Sequence, residues 1–101
     1  DLGDGAMGQL PPGKVVLVEI ADAAALADPG LWTVRDVALA GLAGCAFPED
    51  PEAEDVAIDA ANARAIVTLQ ENNCHVVIDL ATAAVVRSFD AGAVALANVD
   101  L

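Results

Sequence analysis

The sequence predicts an all-β fold of short antiparallel strands, and three observations support this prediction. Runs rich in β-branched residues recur at strand length, turn-forming residues separate them, and the helix-favouring stretches are too short to be stable alone. Hydrophobic residues make up 56% of the 101 residues, yet only 3% are aromatic and none is tyrosine. The chain therefore forms one domain at most, with a core of Ala, Val, Leu and Ile.

The first strands follow a Gly- and Pro-rich opening segment. Residues 1–13 end in a Pro-Pro-Gly sequence and predict a flexible tail. Residues 14–40 then contain two runs of strand length, KVVLVEI at 14–20 and WTVRDVAL at 32–39. We assign these two strands to one sheet.

Two Ala-rich stretches could be mistaken for helices. The first, 21–28, is stopped by a Pro-Gly pair, so we expect one helical turn on the surface. The second, 37–46, contains Gly41 and Gly44, which favour a strand end running into a loop. An α+β fold with helices in both stretches is the alternative.

The second half has the more regular pattern. An acidic, proline-containing linker at 41–54 precedes it, and 55–89 holds short strands joined by turns of two or three residues, with Asn in the first two turns. The four strands are DVAIDA (55–60), RAIVTLQ (64–70), CHVVIDL (74–80) and AAVVRSF (83–89).

These strands are apolar on both faces of the expected sheet. Ala65, Val67 and Leu69 point to one side, while Ile66 and Thr68 point to the other. A sheet with one solvated face would show a cleaner alternation of apolar and polar residues. A four-stranded meander covered on both faces is the blade of a β-propeller, because each blade packs between its neighbours.

We therefore predict a partial β-propeller with one complete four-stranded antiparallel blade at 55–89. Residues 14–40 supply strands of the preceding blade, and 90–101 form a loop and the start of the next one. Since propellers have four to eight blades, the flanking surfaces need other blades or protein subunits as partners.

The charge of the chain excludes some classes of partner. There are 16 acidic and 4 basic residues, a net charge of -12 and a pI near 4.1. Phosphate binding needs clustered cations, so the scattered basic residues argue against nucleic acid and anionic membranes. Carboxylates instead favour calcium or basic partners. No apolar run approaches the length of about 20 residues that a membrane span requires.

The second half also resembles a known repeat. IVTLQENNCHVVIDLATAAV at 66–85 resembles the YVTN-type β-propeller repeat, although Ile66 replaces a common aromatic residue and Ala83 the usual turn glycine. With FPEDPEAEDV at 47–56, the QENN sequence resembles choice-of-anchor propeller proteins. These include mesenchyme-specific cell-surface glycoproteins and bacterial members labelled alkaline phosphatase or phytase-esterase-like. The resemblance implies a secreted or surface-bound propeller and identifies no catalytic residue.

Propeller topology predicts a calcium site, since it brings the acidic linker and the turn at 71–73 to the same end of the sheet. Calcium takes six to eight oxygen ligands, which carboxylates and amides supply. The alternative is that these acids are solvated, as acidic loop segments commonly are. The predicted ligands are Glu54 first, then Asp50, Glu52, Asp55, Glu71 and Asn72.

The same topology brings Cys45 and Cys74 together. A disulfide is the simplest outcome for two cysteines in a short extracellular-type chain, and two free thiols in a cytosolic protein are the alternative. His75 adjoins Cys74 but points to the opposite face of the strand, so a shared zinc ion is disfavoured. With one histidine and Ser88 as the only serine, we identify no catalytic triad.

Two functions remain open. The first is a non-catalytic extracellular module of propeller blades, with bound calcium, inside a larger surface or matrix assembly. The second is a fragment of a metal-dependent phosphoesterase propeller of the alkaline phosphatase or phytase type, in which acidic loops hold the metal ions. Under the first interpretation, we expect the isolated chain to self-associate through its uncovered surfaces.

Overall fold

The computed structural model describes residues 13–93, and its architecture is all-β with antiparallel sheets, as predicted. The segments at 1–12 and 94–101, expected to be the tail and part of the next blade, lie outside the described residues. The elements are β1 Val15–Glu19, α1 Ala23–Leu26, a 3₁₀ turn Pro29–Leu31, β2 Thr33–Val37, β3 Asp55–Asp59, β4 Arg64–Leu69, β5 Cys74–Asp79 and β6 Ala84–Asp90.

β1 and β2 form an antiparallel hairpin whose connection contains the expected single helical turn. Asp22 caps α1 by accepting a 2.8 Å hydrogen bond from the Ala25 N–H. The Trp32 indole N–H donates a 2.8 Å bond to the Ala25 carbonyl and ties the connection to the start of β2. Residues 38–54 contain no helix, so the α+β alternative is wrong for this part of the chain.

The second sheet has four strands in the order β3-β4-β5-β6, each antiparallel to the next. Ala57 is opposite Ile66 and Ile66 is opposite Val77, so these residues share one face. A bulge at Val77/Ile78 shifts the register between β5 and β6. Residues 55–89 thus form the single up-and-down sheet that the sequence predicts.

Each turn of this sheet ends in a residue with positive φ. Ala63, Asn73 and Ala83 have φ values of 50°, 48° and 55°. Asn is well suited to this conformation, and the sequence correctly suggests it for the second turn. In the first turn, Asn62 instead donates its side-chain amide to Asp59 at 2.7 Å, and alanine takes the positive φ.

One face of the second sheet, which we call the covered face, forms the core. The hairpin and segment 38–54 pack against it, and the Arg35 guanidinium anchors the hairpin through 2.8 Å bonds to the Leu80 and Ala81 carbonyls. Ser88 Oγ donates a 2.7 Å bond to the Ala43 carbonyl. The buried side chains on this face are Ala65, Val67, Leu69, Cys74, Val76 and Ile78.

The opposite face, which we call the open face, has no layer over it within residues 13–93. Ile66 is 44% exposed and Phe89 is 38% exposed on this side. The apolar pattern on both faces of the strands is therefore matched by packing on one face only. Within the same residues, no helix has the length and apolar character needed to cross a membrane.

Candidate functional site

The turn between β4 and β5 organises one end of the molecule through a buried asparagine. Asn72 has no solvent-exposed surface, and its side-chain amide donates to the carbonyls of Ala46, Phe47 and Asp50 at 2.9 to 3.0 Å. Its Oδ1 accepts a 2.9 Å bond from the Glu52 N–H. One side chain thus satisfies four backbone groups of the linker that precedes β3.

The next residue in the turn holds the chain that leaves β6. Asn73 donates from its side chain to the Gly92 carbonyl at 3.2 Å, and its own carbonyl accepts a 2.9 Å bond from Ala91 N–H. The two asparagines therefore fix the segment entering β3 and the segment following β6. We call this arrangement the asparagine clamp.

A disulfide lies beside the clamp. Cys45 and Cys74 are bonded, as expected from the sequence, with 5.1 Å between their Cα atoms. Cys74 is 1% exposed in the core, and the next residue of the linker, Ala46, donates its N–H to the Asn72 carbonyl at 2.9 Å. The linker is thus attached to β5 by a covalent bond and to the preceding turn by hydrogen bonds.

A polar pocket of about 420 Å³ opens beside the clamp, at the end of the sheet where β3 begins. Glu54 and Asp55 border it, and Thr68 holds both by accepting their N–H groups, at its carbonyl (3.0 Å) and at Oγ1 (3.2 Å). The His75 ring borders the other side, stacked on Phe89 at a centroid distance of 5.2 Å. The buried Nδ1 of His75 has no hydrogen-bond partner.

The predicted calcium ligands do not form one cluster. Glu54 and Asp55 lie in the polar pocket, Asp50 is buried at 2% exposure, and Glu71 is exposed. Glu52 joins the clamp through its backbone N–H, and the Asn72 side chain is hydrogen-bonded to backbone groups of the linker. Within residues 13–93, no three His, Cys, Asp or Glu side chains are grouped so that they could hold a metal. Calcium binding stays a prediction, as does the phosphoesterase alternative.

Two carboxylates stabilise the other turns. The side-chain hydrogen bond from Asn62 lowers the pKa of Asp59 below its ordinary value. The backbone N–H of Thr82 is the main cause of the lowered pKa of Asp79, with further lowering from Ala81 N–H and the Arg64 guanidinium. Both carboxylates accept hydrogen bonds from turn residues and are structural.

The fold and the asparagine clamp define a class of protein: an antiparallel β-sheet module in which a disulfide attaches the linker before β3 to the sheet. Residues 19–101 match the choice-of-anchor I domain, and the chain belongs to that family. Neither a curated protein nor a solved structure matches the chain. The family and the disulfide fit a cell-surface-associated module.

Proposed function

We propose that the chain is a non-catalytic structural and interaction module of an extracellular or cell-surface β-propeller. Residues 55–89 form one blade, 14–40 belong to the preceding blade, 41–54 join the two, and 90–101 lead into the next. Its partners are further blades of the same protein or other subunits. The YVTN-type repeat pattern at 66–85 supports this assignment by resemblance.

The observation that carries the proposal is the contrast between the two faces of the second sheet. On the covered face, a second antiparallel layer buries Val67 and Val76 to 2% and 0% exposure. On the open face, Ile66 and Val77 are register partners with apolar side chains and no layer over them in the described residues. A blade between two neighbours needs apolar residues on both faces.

The contact between the hairpin and the covered face supports the same assignment. β1 and β2 pack as a sheet layer on another sheet, with Val15 and Leu17 against the core. The only strand-like link between the layers is an isolated parallel bridge from Ala38 to Ala84, within the described residues. Two sheets stacked in this way are expected of successive blades.

The decisive experiment is structure determination of the intact protein that contains this chain, by cryo-electron microscopy or crystallography. We expect a sheet layer packed on the open face against Ile66, Val77 and Phe89, within a closed ring of blades. An open face that contacts only solvent, or a layer of helices, would overturn the proposal.

A further inference from the structure

An apolar groove of about 300 Å³ lies between β1 and β3 on the covered face. It exists because the hairpin has two strands and the sheet beneath it has four. Val56 and Ile58 are register partners of Val67 and Ala65, so all four share one face. Val67 and Ala65 are each 2% exposed, but Val56 and Ile58 are 57% and 66% exposed. The hairpin therefore leaves the β3 side of this face bare.

The groove is bordered by the edge of a strand. Four consecutive residues, Val15 to Val18, line one side, and successive side chains of a strand point to opposite faces. It is consequently the backbone edge of β1 that borders the groove. Within residues 13–93, β1 pairs with β2 alone, so this edge has no sheet partner. A free strand edge beside apolar surface is the geometry used in β-strand addition.

Two carboxylates line one end of the groove. Gly13 lies against Pro51, because a Cβ on this glycine would meet the Pro51 carbonyl oxygen at 2.8 Å. β1 and β3 therefore begin at the same end, where Glu54 and Asp55 line the groove. No basic residue of the described chain lines the groove.

We propose that this groove binds a β-strand from a polypeptide segment outside residues 1–101. The strand pairs with the free edge of β1, packs apolar side chains on Val56 and Ile58, and carries a basic residue at the end that meets Glu54 and Asp55. The inference rests on the proposed function in one respect. The two-stranded hairpin is assigned to the preceding blade, and the added strand extends that sheet.

The test uses the 101-residue chain and a synthetic peptide, KVTVTVK, with blocked termini. Two control peptides have a central proline, KVTPTVK, or acidic ends, EVTVTVE. Binding is measured by nuclear magnetic resonance titration, and amide hydrogen exchange along β1 reports strand pairing. We expect KVTVTVK to slow exchange in β1, and both controls to bind at least several-fold more weakly, because proline removes a ladder hydrogen bond and the acidic ends repel.

A pair of variants locates the peptide. Ile58→Thr changes an exposed side chain in the groove while keeping strand propensity, and we expect it to weaken KVTVTVK binding about tenfold. Ile66→Thr makes the same change at an exposed position on the open face of the neighbouring strand, and it should leave binding unchanged.

Four outcomes would overturn the inference: absence of KVTVTVK binding, equal binding of all three peptides, equal loss in both variants, or unchanged exchange in β1. Protection of β1 that grows with protein concentration in the absence of peptide would assign the groove to a second copy and would also overturn it. The structure of the intact protein separates the two proposals, since the open face can be covered while this groove is empty, or the reverse.

Discussion

Ala63 has a left-handed backbone conformation that costs an L-residue with a Cβ roughly 1 kcal/mol. The residue is exposed, so its methyl group gains little from packing. Glycine adopts positive φ without that penalty. We therefore expect Ala63→Gly to raise the free energy of unfolding by about 0.5 to 1 kcal/mol, measured by urea denaturation.

Ala61→Gly is the matched control, since Ala61 is an exposed residue of the same turn without positive φ. Glycine there only adds freedom to the unfolded chain, so this variant should be neutral or slightly destabilised. Equal effects at both positions would show that backbone strain at Ala63 does not limit the stability of the turn.

Substitution of Asn72 should be costly, because its side-chain amide is buried and both its nitrogen and its oxygen form hydrogen bonds. Asn72→Ala removes the side-chain partner of three linker carbonyls and of the Glu52 N–H, and of these groups the Phe47 carbonyl keeps a 3.0 Å bond from the Asp50 N–H. Each unpaired buried group is costly, and we expect a loss of about 2 to 4 kcal/mol in the free energy of unfolding, measured by chemical denaturation.

The matched control for this variant is Gln70→Ala, in the same turn at an exposed position. It should change stability by less than about 0.5 kcal/mol. A loss for Asn72→Ala that is no larger than for Gln70→Ala would contradict the clamp.

The strands themselves were predictable from the sequence. β1 to β6 fall within the predicted segments, apart from Asp90 at the end of β6, because β-branched runs and Asn-containing turns are local signals. The clamp was not predictable, since the three carbonyls bound by Asn72 belong to a linker more than 20 residues earlier, whose path depends on packing. Two asparagines at the end of a turn could bind a metal ion, adopt positive φ or hold another segment by hydrogen bonds. The sequence alone therefore does not distinguish these roles.

The disulfide is the second attachment of the linker, and its effect can be separated from that of the clamp. It closes a loop with a sequence separation of 29 residues. Loop-closure entropy then predicts that reduction lowers the free energy of unfolding by roughly 3 to 4 kcal/mol. Urea denaturation with and without dithiothreitol measures this change, and the double variant Cys45→Ala with Cys74→Ala should reproduce it.

Because Asn72 and the disulfide hold the same linker, their contributions should not be additive. Once the linker is released by reduction, Asn72→Ala should cost less than it does in the oxidised protein. Strictly additive losses would mean that the two attachments act on independent parts of the fold.

The turns that depend on Asp79 and Asp59 should weaken in acid. Their pKa values are lower in the folded chain than the ordinary value of 3.8, so their stabilisation is present above that pH. It is lost as the pH falls through the lowered folded pKa values. We expect Asp79→Asn to reduce the fall in thermal midpoint between pH 5 and pH 2, measured by circular dichroism. Glu71→Gln removes an exposed charge from another turn and serves as the control.

For the whole molecule, the open face should decide whether the isolated chain is monomeric. Ile66 and Phe89 expose apolar surface on this face, and nothing in residues 13–93 covers it. Sedimentation velocity should therefore show concentration-dependent self-association of the 101-residue chain. The double variant Ile66→Lys with Phe89→Lys should shift the chain toward monomer, because each lysine places a strongly hydrated charge in the contact.

Lysine also lowers the net negative charge, which by itself favours association, so a charge-matched control is needed. Leu26→Lys with Leu31→Lys adds the same charge at two positions that are each 61% exposed in the connection between β1 and β2, away from both sheet faces. This control should still self-associate. If the wild-type chain sedimented as a monomer at every concentration, the open face would be stable in water. The proposal that a second layer must cover this face would then be contradicted.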